Sequence, residues 1–483
     1  MMQADVIVQI SSQLSGKKIA VDLTPRLPGG ENGGAKLMTL ELVHALVKLL
    51  PETSFVLLTA EASHAELDQL EKEHANLQRL CVLHNEPQIG SPPLTHSLTW
   101  KEKVLYRLKS LAGSILPLKI QPHIKTLLSS LFLLWKKTVS LIRAVFPRLL
   151  KQHIKRLSRS VGSSARLESL IHKMGVDLLF CPFTAPFYAD PRIPTVSVIY
   201  DLQYRAYPQF FMHEEWIERE NNFRTAYQKA NYLIAISEFV RQTVIETANL
   251  SPDRVIAVPI GLLRTPAQRE NEHAGNELFE SHSLQRGEYI LYPANFWKHK
   301  NHAMLLTAFN LYRGAKPDSP LKLLCTGAPG ARAEAFCDAV RRMGLADWVV
   351  YPGYVTPDEY DRLLSSAFAV IFPSLYEGFG IPVLEAMVAG VPVLCSKVTS
   401  LPEVGGEAVL YFDPRRPGQI VDALARLSEE PGLRQSLITM GLQRTLLFEG
   451  ADRMAVEYAS VFAKASSPRE RQAGYKELTV PTE

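Results

Sequence analysis

Short apolar runs recur along this chain, each followed by a segment whose apolar residues return every three or four positions. Buried parallel strands alternating with covering helices produce that pattern. In the first half the runs are 19–23, 55–58, 178–181, 196–200, 233–236 and 255–258. The first leads into a glycine-rich stretch, PGGENGGAK, and then a helical pattern carrying Leu37, Leu40, Leu42, Ala45 and Leu46. A second series follows at 289–292, 321–325, 349–351, 369–372, 391–395 and 409–412. Between the two series, residues 266–282 crowd polar side chains together and read as a linker.

The expected architecture is therefore α/β, with two doubly wound, Rossmann-like units facing one another across a central cleft. Such sheets bind ligands at the carboxyl ends of their strands. The N-terminal domain is placed at 1–265 and the C-terminal domain at 283–445. Residues 446–483 are expected to form a C-terminal helix that returns to the N-terminal domain, followed by a tail.

A length of 483 residues exceeds what one core normally supports and agrees with two domains. The five cysteines, Cys81, Cys181, Cys325, Cys337 and Cys395, make no CxxC pair and fit a reducing compartment. The N-terminus lacks the basic and apolar segments of a signal peptide, and no apolar stretch of about 18 residues occurs. A cytoplasmic protein is expected.

The net charge of +4 hides a local excess. Residues 101–160 hold fourteen Lys or Arg and a single acid, Glu102, within a basic helical insert at 97–165. Leu128, Leu131, Trp135, Val139, Ile142, Phe146 and Leu149 share one helical face there, with Lys136 and Arg143 elsewhere on the wheel. That composition suits an anionic membrane surface, at the inner face of the cytoplasmic membrane. A helical pair with solvated cations is the alternative, and nucleic acid is not expected, since no recognition motif is present.

The segment FPSLYEGFGIPVLEAMVAGVPV, residues 372–393, carries the strongest chemical signal. It reads as a strand end, a loop with Gly378 and Gly380, and a helix opening at Pro382. Glycines let backbone N–H groups approach a ligand, and a helix N-terminus favours a diphosphate. Glu377 and Glu385 can accept hydrogen bonds from hydroxyls, so the implied ligand is a phosphate carrying polyol groups. The string PSxxEGFGxPxxEAMxxGxPV resembles the E-x7-E motif of family 4 (group 1) retaining glycosyltransferases of the GT-B fold. The likeness extends over most of 289–445 and more weakly over the first domain.

The resemblance implies that Glu377, Phe379 and Gly380 hold the donor sugar and that Glu385 meets the ribose, with Ser374 and Gly378 in the same donor loop. In YPANFWKHKNHAMLLTAF, residues 292–309, Lys300-Asn301 matches the end of the family's phosphate-binding pattern, while Ala294 and Asn295 depart from it. Lys300 is the expected cation for the diphosphate, with Asn295 and Lys298 beside it and Asn301 as a helix N-cap. In VSVIYDLQYRAYPQFF, residues 196–211, Asp201 fits a His-Asp-Leu motif, but Tyr200 stands where the family usually has His. Tyr200 and Asp201 join Glu377 and Lys300 as the catalytic candidates. Gly33 and Gly34 would turn backbone N–H groups towards the donor phosphate or the acceptor.

The implied reaction is transfer from a nucleoside diphosphate sugar to a hydroxyl of a glycan or lipid-linked acceptor, in surface polysaccharide or lipopolysaccharide assembly. No DxD pair is placed to hold a metal, so neither metal nor cofactor is expected. A nucleotide-sugar epimerase, a sugar phosphorylase, or a non-catalytic scaffold that has kept the fold would fit the same two-domain cleft.

Overall fold

A computed structural model of the protein describes residues 2–25, 33–83, 170–262 and 276–467. Two parallel sheets organise these residues. In the N-terminal lobe the strands are β1 (Lys18–Asp22), β2 (Ser54–Ala60), β3 (Leu77–Leu83), β4 (Leu178–Cys181), β5 (Thr195–Ile199), β6 (Tyr232–Ala235) and β7 (Val255–Ala257). They lie in the order β3-β2-β1-β4-β5-β6-β7. In the C-terminal lobe β8 (Tyr289–Pro293), β9 (Lys322–Thr326), β10 (Val349–Val350), β11 (Ala369–Phe372), β12 (Val393–Ser396) and β13 (Val409–Phe412) take the order β10-β9-β8-β11-β12-β13.

Helices cover both faces of such a sheet, so its central strands bury every side chain and read as unbroken apolar runs. LLFC, TVSVI, AVIF and VLCS are buried at each position. Strand β3 has no such run. Its sequence LQRLCVL is mostly half-exposed because it pairs only with β2 at the sheet edge, which is why the apolar pattern does not announce it. Asn76 fixes its entry by donating Nδ2 to the carbonyls of Val47, Leu50 and Thr53.

Each sheet reverses its strand order once, between β1 and β4 and between β8 and β11. At such a reversal the following loops diverge to opposite faces and leave a crevice at the strand ends. The loop after β8 holds Asn295 to Lys300, and the loop after β11 holds Ser374 to Gly380. Topology alone therefore brings the two sequence-predicted segments together.

The chain crosses between the lobes twice, and the crossings touch. Leu262 N donates to Phe448 O at 2.7 Å. A Cβ on Gly261 would stand 2.4 Å from the Gly450 carbonyl oxygen, and Gly450 itself has φ +62°, so backbone meets backbone there with no room for side chains. After this second crossing, helix Ala451–Ala465 packs on the N-terminal lobe. Tyr458 and Phe462 lie against Phe180 of β4, with ring centroids 5.7 and 5.1 Å apart.

Two elements differ from the sequence reading. Helix Met2–Leu14 precedes β1, with Ile10 and Leu14 buried and the Leu14 carbonyl accepting from Thr53 Oγ1. The segment read as linker, 266–282, is not all connector. Helix Asn276–Ser281 lies within it, and Phe279 is buried against Tyr289 under the guanidinium of Arg286. The basic insert at 97–165 lies outside the described residues, as do the tail and the glycine-rich stretch up to residue 32. No helix of the described residues is long and apolar enough to cross a membrane.

Candidate functional site

The loop after β11 is held in shape by the segment after β12. Ser400 Oγ donates to the carbonyls of Glu377 and Phe379 at 3.0 and 2.8 Å, and the Glu377 N–H donates to Thr399 Oγ1 at 3.0 Å. Among the described residues no acceptor takes the backbone N–H groups of Gly378, Phe379 or Gly380. Helix Ile381–Val388 starts directly after them, and no side chain caps its N-terminus. Three open N–H groups and an uncapped helix start make an electropositive recess suited to anionic oxygens.

Glu377 and Lys300 meet at its edge. Lys300 Nζ lies 2.6 Å from Glu377 Oε1, with both side chains largely buried. Burial opposes ionisation of Glu377, but the charge and the hydrogen bond of Lys300 outweigh it and hold the carboxyl below its usual range. Glu377 is thus an anion beside a cation, each ready to exchange its partner for a hydroxyl or a phosphate oxygen. Tyr292 anchors this turn by donating its hydroxyl to the Lys300 carbonyl at 2.5 Å.

The two glycines of the loop serve packing as well as access. A Cβ on Gly378 would stand 2.2 Å from the Tyr200 carbonyl oxygen, so the N-terminal lobe sits flush against the loop at that point. Gly380 has φ +123°, and a Cβ there would meet Leu401 at 2.9 Å. Across the recess Gly34, at the start of helix Gly33–Leu49, faces Ile381 Cδ1 at 3.3 Å from its Cβ direction. Gly33 belongs to the same first turn rather than to a loop preceding the helix.

Glu385 is the fifth residue of its helix, just past the first turn, and accepts from the Tyr360 hydroxyl at 2.8 Å. Asn301 does not cap the following helix. It adopts φ +62°, and its Nδ2 instead joins the Pro373 and Pro414 carbonyls at 3.0 and 2.9 Å, tying the β8 loop to those after β11 and β13. Asn295 Oδ1 accepts from the Ala328 N–H at 2.8 Å, which orders the loop after β9. Lys298 Nζ points to the Gln209 carbonyl of the N-terminal lobe at 3.4 Å. Ser374 is fully buried, with its hydroxyl beside the Glu377 carboxyl and the Tyr292 hydroxyl.

From the N-terminal lobe, Asp201 reaches the same region. Burial raises its pKa, offset in part by the Gln203 N–H on Oδ1, and the charges of Arg219, Glu377 and Lys300 all act on it. The Tyr200 side chain turns away. Its hydroxyl lies 3.5 Å from Thr39 Oγ1, and burial raises its pKa, so Tyr200 reaches the loop only through its carbonyl.

The lobes are joined around this recess by groups that the sequence reading passed over. Ser237 Oγ donates to the Gly378 carbonyl at 2.8 Å. The Glu403 carboxylate accepts from the N–H groups of Glu238 and Phe239 at 2.8 and 3.1 Å, closing the N-terminus of helix Glu238–Ala248 from the opposite lobe. Tyr207 donates to the Leu375 carbonyl and accepts from Arg415. His299, between the two lysines, is pushed down to about 4 by burial and by Lys300, and is neutral near pH 7. Its place in WKHKN was the available signal; Glu403 and Ser400 follow β12, whose loop also faces the cleft.

A sequence model described as "Glycosyl transferases group 1" matches residues 276–444, and one described as "Glycosyltransferase Family 4" matches 131–262. The chain belongs to glycosyltransferase family 4. Among relatives, it is 28% identical over 268 residues to O-antigen chain mannosyltransferase B of Escherichia coli, covering 54% of this chain and 68% of that protein. It is 26% identical over 365 residues to the serotype-specific mannosyltransferase WbdA of Escherichia coli, covering 71% of this chain but 44% of that protein. The chain thus matches about two thirds of the first relative and less than half of the second.

The fold of this family 4 member is GT-B. It superposes on Anabaena HepE, solved in complex with UDP-glucose, with TM-score 0.61 and 14% identity over 92% of this chain and 99% of that one. A glycosyltransferase from Rickettsia africae gives TM-score 0.60 at 12% identity, over 94% of this chain and 99% of that one. Residues 101–160, expected to contact an anionic membrane, lie outside the described part.

Proposed function

We propose that this family 4 glycosyltransferase moves a mannosyl group from a nucleoside diphosphate mannose to a hydroxyl of a surface glycan, with retention at the anomeric carbon. One observation carries the reading: the Lys300–Glu377 pair borders three open backbone N–H groups and an uncapped helix start at the strand-order reversal of the C-terminal sheet. The relatives named as O-antigen mannosyltransferases supply the sugar and the setting.

In the proposed step the bond from the anomeric carbon to the leaving phosphate breaks while the acceptor oxygen bonds the same face of the sugar. The acceptor proton passes to the departing phosphate oxygen. Negative charge grows on the diphosphate and positive charge on the sugar ring, so fixed charges and dipoles supply the rate enhancement. The open N–H groups, the helix start and Lys300 stabilise the diphosphate. Glu377, released from Lys300, accepts from the sugar hydroxyls, and Glu385 binds the ribose.

Retention is tested by NMR of the product formed from an α-linked, anomerically labelled donor and a mannosylated acceptor. An α-linked product supports the reading. A β-linked product, or an epimerised nucleotide sugar with no transfer, overturns it.

A further inference from the structure

The N-terminal lobe holds a second cluster of metal-ligating side chains. His44 lies in helix Gly33–Leu49, roughly 15 Å along its axis from Gly34. Glu73 ends helix Asp68–Glu73, and His74 follows it. His44 Nδ1 and His74 Nε2 are 3.0 Å apart, with ring planes at 69°. Glu73 Oε2 stands 4.0 Å from His44 Nδ1, and one donor atom from each of the three residues lies within 4.8 Å of the others. Gln69 Nε2 occupies the other carboxylate oxygen, Oε1, at 2.9 Å, which orients Oε2 towards the imidazoles.

We propose that His44, Glu73 and His74 form a structural site for a late first-row divalent cation, with zinc the best match. The two imidazoles are borderline donors that favour zinc over magnesium or calcium, which take oxygen ligands, and a carboxylate is a common third ligand of zinc. In a tetrahedral zinc site with bonds of about 2.0–2.1 Å the donor atoms stand roughly 3.3 Å apart. The two nitrogens are already near that spacing, and the exposed Glu73 needs a side-chain rotation that moves its oxygen by roughly 1.5 Å to join them. A bound ion would join the helix that begins at the cleft to the segment preceding β3, and solvent would complete the coordination.

The test uses the full chain, stripped with a chelator and desalted, then titrated with zinc and separately with magnesium by calorimetry and thermal unfolding. Expected are one saturable zinc site of micromolar affinity, a higher unfolding temperature with zinc, and no response to magnesium at the same concentration. His44→Ala should weaken zinc binding by about 100-fold or more, since even outer-shell changes cost 10–100-fold, and should remove the thermal shift. His74→Gln gives a second variant, accepted only if its unfolding temperature in chelator matches the unsubstituted protein. The proposal is overturned if no saturable zinc binding occurs below about 100 µM, or if His44→Ala binds zinc unchanged, which would leave the two histidines as a hydrogen-bonded pair.

Discussion

Glu377 and Asp22 are both shielded carboxyls near the C-terminal ends of parallel strands, and their neighbours drive them in opposite directions. Lys300 overcomes burial at Glu377 and keeps it ionised. Asp22 has only Thr24, whose N–H and hydroxyl both bond Oδ1, while Oδ2 has no partner among the described residues. Burial therefore wins, and Asp22 is pushed up to about 6 from 3.8. Because the folded-state value exceeds the unfolded one, the stabilisation is complete below pH 3.8 and is lost as pH rises through about 6. Replacing Asp22→Asn keeps an oxygen for Thr24 and removes the charge. The variant should unfold at higher temperature than the unsubstituted protein at pH 8, by an amount equivalent to about 1–3 kcal/mol, and the gap should close towards pH 4. A gap independent of pH would show that the Asp22 carboxyl is not titrating in this range.

At the scale of elements, the recess is made by loops whose carbonyls are tied down and whose N–H groups are left open. Ser400 does the first for the loop after β11. The opposite arrangement occurs at helix Glu238–Ala248, where Glu403 and Ser237 satisfy three N-terminal N–H groups, two of them from the other lobe. Hydrogen bonds to a carboxylate contribute about 1.5–3 kcal/mol, and the helix dipole adds to them. Glu403→Ala should leave helix content unchanged but shift the lobes towards separation, seen as a larger radius of gyration by small-angle X-ray scattering without ligand. An unchanged radius would mean that Glu403 does not hold the lobes together. What the sequence made legible follows the same division. Strands buried on both faces and the glycine-flanked acids announced themselves through local pattern. Edge strand β3 and helix Met2–Leu14 did not, because their half-exposed residues follow tertiary contacts. Asn301 was misread for a related reason: its acceptors, the carbonyls of Pro373 and Pro414, come from distant parts of the chain.

For the whole molecule, two strand-order reversals set where a ligand can bind, and the paired crossings at Gly261 and Gly450 join the lobes by close backbone contact. The N-terminal lobe contributes Asp201, the Tyr200 carbonyl and the start of helix Gly33–Leu49, so both lobes border the recess. Removing the acid that pairs with Lys300 tests this account most directly. Steady-state transfer from nucleoside diphosphate mannose should fall by roughly 10- to 150-fold in Glu377→Ala, the equivalent of about 1.5–3 kcal/mol, with the unfolding temperature little changed. Transfer within about twofold of the unsubstituted protein would contradict the assignment of Glu377 to the donor sugar.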